Sequence, residues 1–455
     1  MLKINNLIYL SLVVLPLLAY GQNSESNQNE KIFEIQLHHD SIENLFYVHT
    51  SMGKEVQESN FKFLVDTGSK KTWVQNEKCK KCVERNNKKI TRKCEEDICK
   101  NKDILDEIKY GTGQVTYYDT YDYLVLDDLQ NTGTLTLKVD MGHVVDISDD
   151  LLEMTYNGLI GLEYEQYENY INPFVYQFKQ QNKIDNDQVF SINFRKHDAS
   201  LILGGIKQSL IPQNKTDIQY ISIDTDLKKW QIQLQDFKVG NYSILNENQR
   251  LNSKIPAILE EIEQKNIIEK EDQFKANIDS GTNYIVLDQN LNEKVRDVLI
   301  NNYNFQCKLE CGIQSKFCQL KCKNPDGRVD NFPPLSFTFI DQNNQELVIS
   351  IPPKQYVEEK IVKNHQNLML INFLTQNNTK EGDKNNIPNE LILGYPFLQN
   401  QYVIFDINHN QIGFVQLDPL DYQICQTKVI LYILIGFMIM SIGYSAAKSI
   451  IKKIF

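Results

Sequence analysis

The sequence predicts a mainly β protein built from two related halves. Short runs of β-branched and aromatic residues recur along the chain and are separated by Gly, Asn and Asp turns, which is the pattern of an all-β architecture. The segment 63–69, Phe-Leu-Val-Asp-Thr-Gly-Ser, is echoed at 276–282 by Ala-Asn-Ile-Asp-Ser-Gly-Thr. Each copy is followed later by two apolar residues and a glycine, at 159–161 and 392–394. The repetition of both features indicates a duplicated unit.

Local patterns place the individual elements. Pro173–Gln181 and Asp288–Asn302 are the best helix candidates, and proline suits the first turn of a helix. Segments 78–104 and 246–275 are polar with weak periodicity, so we expect insertions or surface loops there. Strands are predicted at Phe33–Leu37, Leu45–Thr50, Phe61–Val65, Val115–Tyr123, Thr134–Val139, Val189–Phe194 and Leu201–Leu203.

Length and composition exclude several classes of protein. A chain of 455 residues is long enough for two or more domains with substantial cores. Hydrophobic residues make up 41% and charged residues 24%, which excludes wholesale disorder and a small disulfide-stabilised knot. The net charge of −11 is the opposite of the basic surface that binds a phosphate backbone, so we do not expect a nucleic-acid partner.

The first residues are typical of a secretory signal peptide. Lys3 precedes a mostly apolar run over residues 7–18, and Ala-Tyr-Gly at 19–21 has the small-x-small form of a cleavage site. We therefore expect a signal peptide over residues 1–21. A retained signal anchor is the alternative, although the run is short for a bilayer span.

Residues 429–447 are the better candidate for a membrane span, since these nineteen residues carry no charge. Lys448, Lys452 and Lys453 follow, so the positive-inside rule predicts a type I protein with a short basic cytoplasmic tail over 448–455. Everything before the span would lie in the lumen or outside the cell. The final Lys-Lys-Ile-Phe resembles a dilysine signal that returns type I proteins to the endoplasmic reticulum, and plain topological charge explains it equally well.

Nine cysteines in a secretory chain should mostly be paired. Eight of them form two local clusters; zinc binding is an alternative for the first cluster, but an oxidising lumen favours disulfides. The second cluster has two i,i+4 spacings, which suit a helical hairpin or, more simply, a pair of loop-closing bridges. Cys425 is left as free, palmitoylated or paired with another chain. The clusters are Cys79, Cys82, Cys94 and Cys99, then Cys307, Cys311, Cys318 and Cys322; the glycosylation candidates are Asn214, Asn241 and Asn377.

The repeated Asp-Thr/Ser-Gly motif carries the chemistry. An Asp on a tight loop at a strand end, with Gly behind it, can approach a second such loop closely. Two carboxyl groups held together cannot both ionise easily, so they share a proton and one of the two pKa values rises. Such a pair offers an acid and a base at once, and a water between them can be activated to attack a peptide carbonyl.

These motifs together resemble the pepsin-like aspartic proteases, the standard example of a carboxyl pair that shares a proton. The resemblance covers about residues 32–418 and includes Trp73 after the first motif, Tyr-Gly-Thr-Gly at 110–113, Leu-Gly-Gly at 203–205 and the run from Ile392 to Phe414. It implies a bilobal fold with two homologous β-rich lobes and a catalytic cleft between them. The expected lobes span 32–215, with an insert at about 78–104, and 216–420.

The resemblance also implies roles for single residues. Asp66 and Asp279 would be the catalytic carboxylates, and Tyr110 would cover the cleft from a mobile hairpin while Trp73 holds its hydroxyl. The dyad would be supported by Thr67, Gly68, Ser69, Ser280, Gly281 and Thr282, and the flap would comprise Tyr110, Gly111, Thr112 and Gly113. Neither a metal nor another cofactor is implied, and the adjacent His38 and His39 point to opposite faces of a strand, against joint metal binding. The expected partners are a polypeptide substrate and the membrane, and the chain is expected to act as a monomer.

The sequence departs from a digestive protease in several ways. About ten residues separate the predicted signal cleavage from the first strand, which leaves activation by propeptide removal in doubt. The first cysteine cluster lies in an enlarged basic insertion similar to that of the nepenthesin-like branch. With the predicted span and tail, these features favour a membrane-bound processing protease of the secretory pathway. A catalytically silent binding protein and a digestive lysosomal or surface protease are the alternatives.

Overall fold

A computed structural model describes residues 31–54, 58–84, 91–94, 104–111, 113–130, 133–164, 173–212, 218–224, 229–245, 274–311, 317–323, 328–362, 366–376 and 389–417. Most of these residues form β strands. In the N-terminal half the strands are β1 Phe33–Gln36, β2 His38–Asp40, β3 Leu45–Met52, β4 Glu58–Asp66, β5 Trp73–Gln75, β6 Asp106–Tyr110, β7 Gly113–Asp128, β8 Gly133–Ile147, β9 Gly158–Gly161, β10 Val189–Asn193 and β11 Ser200–Leu203. In the C-terminal half they are β12 Gln219–Ser222, β13 Gln231–Leu234, β14 Asp236–Val239, β15 Tyr242–Ser243, β16 Phe274–Ile278, β17 Ile285–Leu287, β18 Gln306–Cys311, β19 Phe317–Lys323, β20 Leu335–Ile340, β21 Glu346–Ile351, β22 Val357–Val362, β23 Gln366–Gln376, β24 Glu390–Leu393, β25 Gln401–Asp406 and β26 Gln411–Gln416.

Helices are few among the described residues, and only one is longer than eight residues. The described α-helices are α1 Lys80–Glu84, α2 Pro173–Gln180, α3 Gln289–Tyr303, α4 Pro353–Tyr356 and α5 Tyr395–Leu398, and 3-10 turns cover Asp149–Glu153, Gln208–Leu210 and Val329–Asn331.

The predicted helices are present with small shifts at their ends. α3 begins one residue after Asp288, whose carboxylate accepts the backbone N–H of Leu291 at 2.7 Å and so caps the helix from outside it. Asn304 ends the same helix in the left-handed region at φ 58°, which asparagine tolerates better than most residues. Local capping chemistry therefore sets both boundaries.

Each half contributes one eight-stranded sheet. The order is β2-β3-β4-β9-β5-β8-β7-β6 in the first, and β13-β16-β24-β17-β23-β19-β18 in the second, where β22 pairs with β23. In both sheets the strand leading to the Asp motif runs parallel to the later apolar-apolar-Gly strand: β4 pairs with β9, and β16 with β24. The two features of the sequence repeat are thus neighbouring strands.

A third sheet joins the halves. Its order is β1-β11-β10-β25-β26-β12, so three strands of the N-terminal half and three of the C-terminal half share it, with β10 beside β25. Phe190 stacks on Phe405 at 4.7 Å between ring centroids, and buried Trp230 packs edge-on against both. The indole N–H of Trp230 also donates to the Leu162 carbonyl at 2.7 Å. The mainly β fold class is therefore confirmed, with a core that continues across this shared sheet.

β7 and β8 are longer than the patterns at 115–123 and 134–139 indicate. They pair from Val115 with Ile147 to Asp128 with Gly133, with one register shift after Thr116. Buried side chains continue through Leu126 on β7, so the hairpin keeps its inner face beyond the predicted end.

The second cysteine cluster forms a β hairpin. β18 and β19 are antiparallel, and the helical hairpin considered for the four cysteines is wrong. Cys307 lies opposite Cys322 and Cys311 opposite Cys318, and each pair forms a disulfide. Spacings of four along one strand are matched across an antiparallel partner, which explains why they imitate a helical period.

The insertion around the first cysteine cluster is anchored to the long hairpin. Cys79 and Cys82 form a buried disulfide, and Cys94 is also disulfide-bonded. Arg92 makes two hydrogen bonds to the Asp122 carboxylate on β7, from Nε at 2.7 Å and from an η nitrogen at 3.0 Å. Both side chains are almost completely buried, and His143 on β8 lies 3.4 Å from the same carboxylate.

Several sequence expectations lie outside the described residues. They are the signal peptide 1–21, most of the segment 246–275, the span 429–447, the tail 448–455, Thr112, Cys99, Cys425, Asn214 and Asn377. Asn241 is described and lies exposed in a turn. Within the described ranges, no helix has the length and apolar character needed to cross a membrane.

Candidate active site

The two Asp motifs form matching loops. Asp66 ends β4 and Asp279 follows β16, so each carboxyl group lies at the C-terminal end of a strand. Asp66 accepts the backbone N–H of Gly68 at 2.8 Å and the hydroxyl of Ser69. Asp279 accepts the backbone N–H of Gly281 at 2.8 Å and the hydroxyl of Thr282 at 2.7 Å. Each carboxylate is thus oriented by the two residues that close its own loop.

The loops face each other at contact distance. A Cβ placed on Gly68 would lie 2.7 Å from the Asp279 carboxyl carbon, and one on Gly281 would lie 2.3 Å from an Asp66 oxygen. Any side chain at either position would therefore displace the opposite carboxyl group. Glycine is required here because each loop backbone packs directly against the other loop's carboxyl group.

Thr67 and Ser280 connect the loops. The Thr67 hydroxyl accepts the backbone N–H of Ser280 at 2.9 Å and donates to the Ile278 carbonyl at 2.9 Å. The Ser280 hydroxyl accepts the backbone N–H of Thr67 at 3.0 Å and donates to the Val65 carbonyl at 2.7 Å. All of these bonds are buried, so the separation of the two carboxyl groups is held by a closed set of hydrogen bonds.

The charge environment favours a protonated carboxyl group. Burial raises the pKa of Asp66 well above its usual value, and the neighbouring Asp279 charge raises it further. Hydrogen bonds from Ser69 and Gly68 act in the opposite direction without offsetting these effects. The pair therefore retains a proton at a pH where an isolated aspartate has lost it.

An aromatic hairpin covers the carboxyl pair. Tyr110 ends β6 and pairs with Gly113 at the start of β7, with Gly111 at the turn. The Tyr110 hydroxyl accepts the indole N–H of buried Trp73 at 2.8 Å. Burial raises the pKa of Tyr110, and the nearby Asp66 charge adds to this. The tyrosine is therefore a neutral hydroxyl held above the first loop.

The carboxyl groups lie in a large cleft with a cavity volume of about 1400 Å³. Both halves contribute walls: Trp73 and Leu159 line it from one side, and Val286 and Ile392 from the other. A volume above the usual range of small-molecule pockets suits an extended ligand.

Five aromatic residues that line the cleft are absent from the sequence-based set: Tyr117, Tyr121, Tyr156, Tyr284 and Phe317. Tyr156 is buried 6.1 Å from the Trp73 ring, and burial, followed by the Asp66 charge, raises its pKa. Its only sequence signal is its place two residues before Gly158, where β9 begins. Phe317 lines the cleft from β19, and only its adjacency to Cys318 marks it in the sequence.

Comparison with known proteins finds relatives that align with most of this chain. The chain is 24% identical over 390 residues to plasmepsin VII of Plasmodium falciparum (isolate NF54), covering 82% of this chain and 78% of that protein. It is 25% identical over 386 residues to plasmepsin IV of P. falciparum (isolate 3D7), with 82% and 70% covered. A probable aspartic-type endopeptidase CTSD of Arthroderma otae is 21% identical over 355 residues, with 77% of each chain covered.

The profile of a single family accounts for most of the described structure. It is the eukaryotic aspartyl protease family, and its match extends over residues 46–417. That range contains both Asp loops, the covering hairpin and five of the six strands of the sheet shared by the two halves. The chain therefore belongs to the eukaryotic aspartyl protease family, as its repeated motifs predict.

Proposed function

We propose that the protein is an aspartic endopeptidase that hydrolyses peptide bonds with a water activated jointly by Asp66 and Asp279. The observation that carries this proposal is the contact of the two loops, in which each carboxyl group lies against the other loop's glycine. Family membership at identities near 25% supports hydrolytic activity, and the geometry supports the assignment of these two residues.

The proposed reaction uses one proton held by the pair. The ionised carboxylate removes a proton from water as the water oxygen attacks the peptide carbonyl carbon, while the protonated carboxyl gives its proton to the carbonyl oxygen. The tetrahedral intermediate then breaks its C–N bond as the carboxyl group that took the water proton gives it to the nitrogen, and a hydroxyl of the intermediate returns its proton to the other carboxylate as the new carboxyl group forms. The raised pKa of Asp66 supports its assignment as the residue that holds the proton between turnovers.

The surrounding groups have positioning roles in this proposal. Thr67 and Ser280 hold the separation of the carboxyl groups, and Ser69 and Thr282 orient their outer oxygens. Tyr110 would lie over the bound peptide and exclude bulk water from the reacting bond.

A membrane-bound processing role in the secretory pathway is the finer part of the proposal. It rests on the signal sequence at 1–21, the apolar segment 429–447 and the basic tail, with the protease region lumenal or extracellular. Exposed Asn241 supports a glycosylated surface on that side. Localisation of a tagged protein, and of a variant with Lys452 and Lys453 changed to Ser, separates early secretory retention from delivery to a lysosome or the cell surface.

Digestion of a diverse peptide library tests the activity. The protein and its Asp279→Asn variant are compared over roughly pH 3 to 7, the range that suits a carboxyl pair. Cleavage by the unchanged protein alone is expected. Cleavage by neither, with both folded, would favour a binding protein, and equal cleavage by both would exclude Asp279 from the reaction.

A further inference from the structure

A row of paired residues crosses the N-terminal sheet on its cleft side. Tyr47 on β3 pairs with Leu64 on β4, and Leu64 pairs with Leu159 on β9. Leu159 in turn pairs with Trp73 on β5. Residues paired directly across neighbouring strands project from the same face of a sheet, so these four side chains form one surface, the N-terminal wall. All four are buried, and Leu64, Leu159 and Trp73 line the cleft.

The Tyr156 ring lies against both ends of the N-terminal wall. Its centroid is 5.9 Å from that of Tyr47 and 6.1 Å from that of Trp73. Tyr156 packs in the same apolar cluster as the wall, is 9% exposed, and lines the cleft. The small part of Tyr156 that is not buried is therefore available to a ligand in the cleft.

The residues on either side of Tyr156 hold it in place. Thr155 donates its backbone N–H and its hydroxyl to the Glu43 carboxylate, at 3.0 and 2.8 Å. Asn157 accepts the backbone N–H of Lys62 on its side-chain oxygen at 3.0 Å, and its own N–H donates to the Lys62 carbonyl at 2.9 Å. Because both neighbours are tied to the sheet, the Tyr156 side chain is positioned before a ligand binds.

The hydroxyl of Tyr156 forms no hydrogen bond to any group in the described part of the chain. The polar atoms next to it are paired: the Tyr47 hydroxyl donates to Glu43, and the Trp73 indole N–H donates to Tyr110. A buried tyrosine hydroxyl normally has a partner, so this one calls for an explanation. Burial raises the pKa of Tyr156 and the Asp66 charge raises it further, so the hydroxyl is neutral and can both donate and accept.

We propose that Tyr156 is a specificity-determining residue whose hydroxyl binds a neutral hydrogen-bonding side chain of the substrate, a hydroxyl or a carboxamide, against the N-terminal wall. The carbon atoms of that side chain contact the apolar residues of the wall. A charged side chain is disfavoured because the wall offers it no opposite charge, and an acidic one also meets the charge of the carboxyl pair. The proposal rests on the proposed peptidase function.

Matched pairs of peptides test the role of the hydroxyl. The peptides carry Thr or Val, or Asn or Leu, at each position around the cleaved bond in turn, so the members of a pair are similar in shape and differ in hydrogen bonding. They are digested by the unchanged protein, by Tyr156→Phe and by the control Tyr242→Phe. Tyr242 is 40% exposed on β15 and lies outside the set of described residues that line the cleft.

We expect the unchanged protein and Tyr242→Phe to favour Thr over Val and Asn over Leu at one position. The preference should be roughly tenfold in kcat/KM, which is the scale of one hydrogen bond. Tyr156→Phe should lose this preference while cutting the Val and Leu peptides as well as the unchanged protein does. Since the substitution removes only a hydroxyl that has no partner in the described chain, thermal unfolding of Tyr156→Phe should match that of the unchanged protein.

The outcomes separate this inference from the proposed function. If the unchanged protein cuts the peptides without such a preference at any position, or if Tyr156→Phe keeps the preference, the hydrogen-bonding subsite is wrong and the peptidase assignment stands. A fall in kcat/KM that is equal for both members of every pair would also overturn the subsite, because a merely structural role would produce it. Failure of the unchanged protein to cut any peptide would overturn both proposals.

Discussion

Thr67 and Ser280 are 213 residues apart in the chain, and each places its hydroxyl on the backbone N–H of the other. Each hydroxyl also donates to a carbonyl of the strand that leads to the other loop. The relationship is reciprocal, as expected from a duplicated motif. It fixes the two carboxyl groups relative to each other before any substrate binds.

Removing one of these hydroxyls should weaken both stability and turnover. Thr67→Val keeps the shape of the side chain but leaves the Ser280 N–H and the Ile278 carbonyl buried without their partner. Each unpaired buried group costs about 1–3 kcal/mol, so we expect the free energy of unfolding to fall by at least about 2 kcal/mol. Denaturant unfolding and kcat/KM measure the effect. Thr67→Ser retains the hydroxyl, so its stability and its kcat/KM should fall much less. Equal losses of stability in Thr67→Val and Thr67→Ser would contradict the hydrogen-bond explanation.

A side chain at Gly281 should separate the carboxyl groups. The added Cβ of Gly281→Ala would lie 2.3 Å from an Asp66 oxygen, so the pair must move apart. A displacement of about 1 Å costs on the order of a hundredfold in rate, and kcat should fall accordingly. Gly111→Ala adds the same methyl group where the nearest contact among the described residues is the Phe317 ring at 3.7 Å, and its kcat should fall far less. A comparable fall in kcat for Gly281→Ala and Gly111→Ala would show that the close approach of the Gly281 backbone to the Asp66 carboxyl group is not required for turnover.

The stability of the fold should depend on the protonation of Asp66. Its pKa is raised in the folded protein, so its contribution is complete below the unfolded pKa and is lost as the pH rises through the folded value. Each unit of elevation corresponds to roughly 1.4 kcal/mol. Asp66→Asn cannot ionise and should remove this loss. The free energy of unfolding, measured in urea between about pH 4 and 7, should therefore fall less steeply with pH in the variant than in the unchanged protein. Identical slopes for the two proteins would refute the raised pKa of Asp66.

The buried Arg92–Asp122 pair should have the opposite pH dependence. Burial alone would raise the pKa of Asp122, but His143 and the Arg92 guanidinium outweigh it and lower the pKa. The contribution is therefore present above the unfolded pKa and is lost as the pH falls through the folded one. Asp122→Asn leaves a buried guanidinium without its carboxylate. We expect the free energy of unfolding to fall by about 3–5 kcal/mol near neutral pH, and by less in acid.

An exposed ion pair supplies the control for Asp122. Asp330 lies 3.2 Å from Lys354, and both side chains are more than half exposed. Asp330→Asn should lower the free energy of unfolding by less than about 1 kcal/mol at any pH. Similar losses for the two variants in urea unfolding would show that burial does not strengthen the Arg92 pair.

The sequence was most informative where local chemistry repeats. The two Asp motifs and their later apolar-apolar-Gly triplets predict the fold class and the family, and both are confirmed. Such motifs are readable because each needs particular residues at fixed spacing: a glycine behind each carboxylate and a hydroxyl beside it. Both ends of α3 are similarly readable because Asp288 and Asn304 are typical N-cap and C-cap residues.

Features that depend on distant contacts were missed or misread. Phe317 lies next to the turn of another hairpin at the cleft, and no local pattern encodes that meeting. The cysteines at 307–322 were open to a helical interpretation because i,i+4 spacing is also compatible with two strands in antiparallel register. Likewise, the sheet that joins β1 to β26 combines both ends of the described chain, which strand propensity cannot reveal.

The most direct test of the proposed chemistry is a single turnover in ¹⁸O-labelled water. The unchanged protein, in excess over a peptide substrate, is compared with Asp279→Asn, and the cleaved peptide and the peptides containing Asp66 and Asp279 are weighed by mass spectrometry. Joint activation of water by the two carboxyl groups predicts one ¹⁸O atom in the new carboxylate after the first turnover, unlabelled Asp66 and Asp279, and no product from the variant. Unlabelled product with ¹⁸O in either aspartate, or normal cleavage by Asp279→Asn, would contradict it.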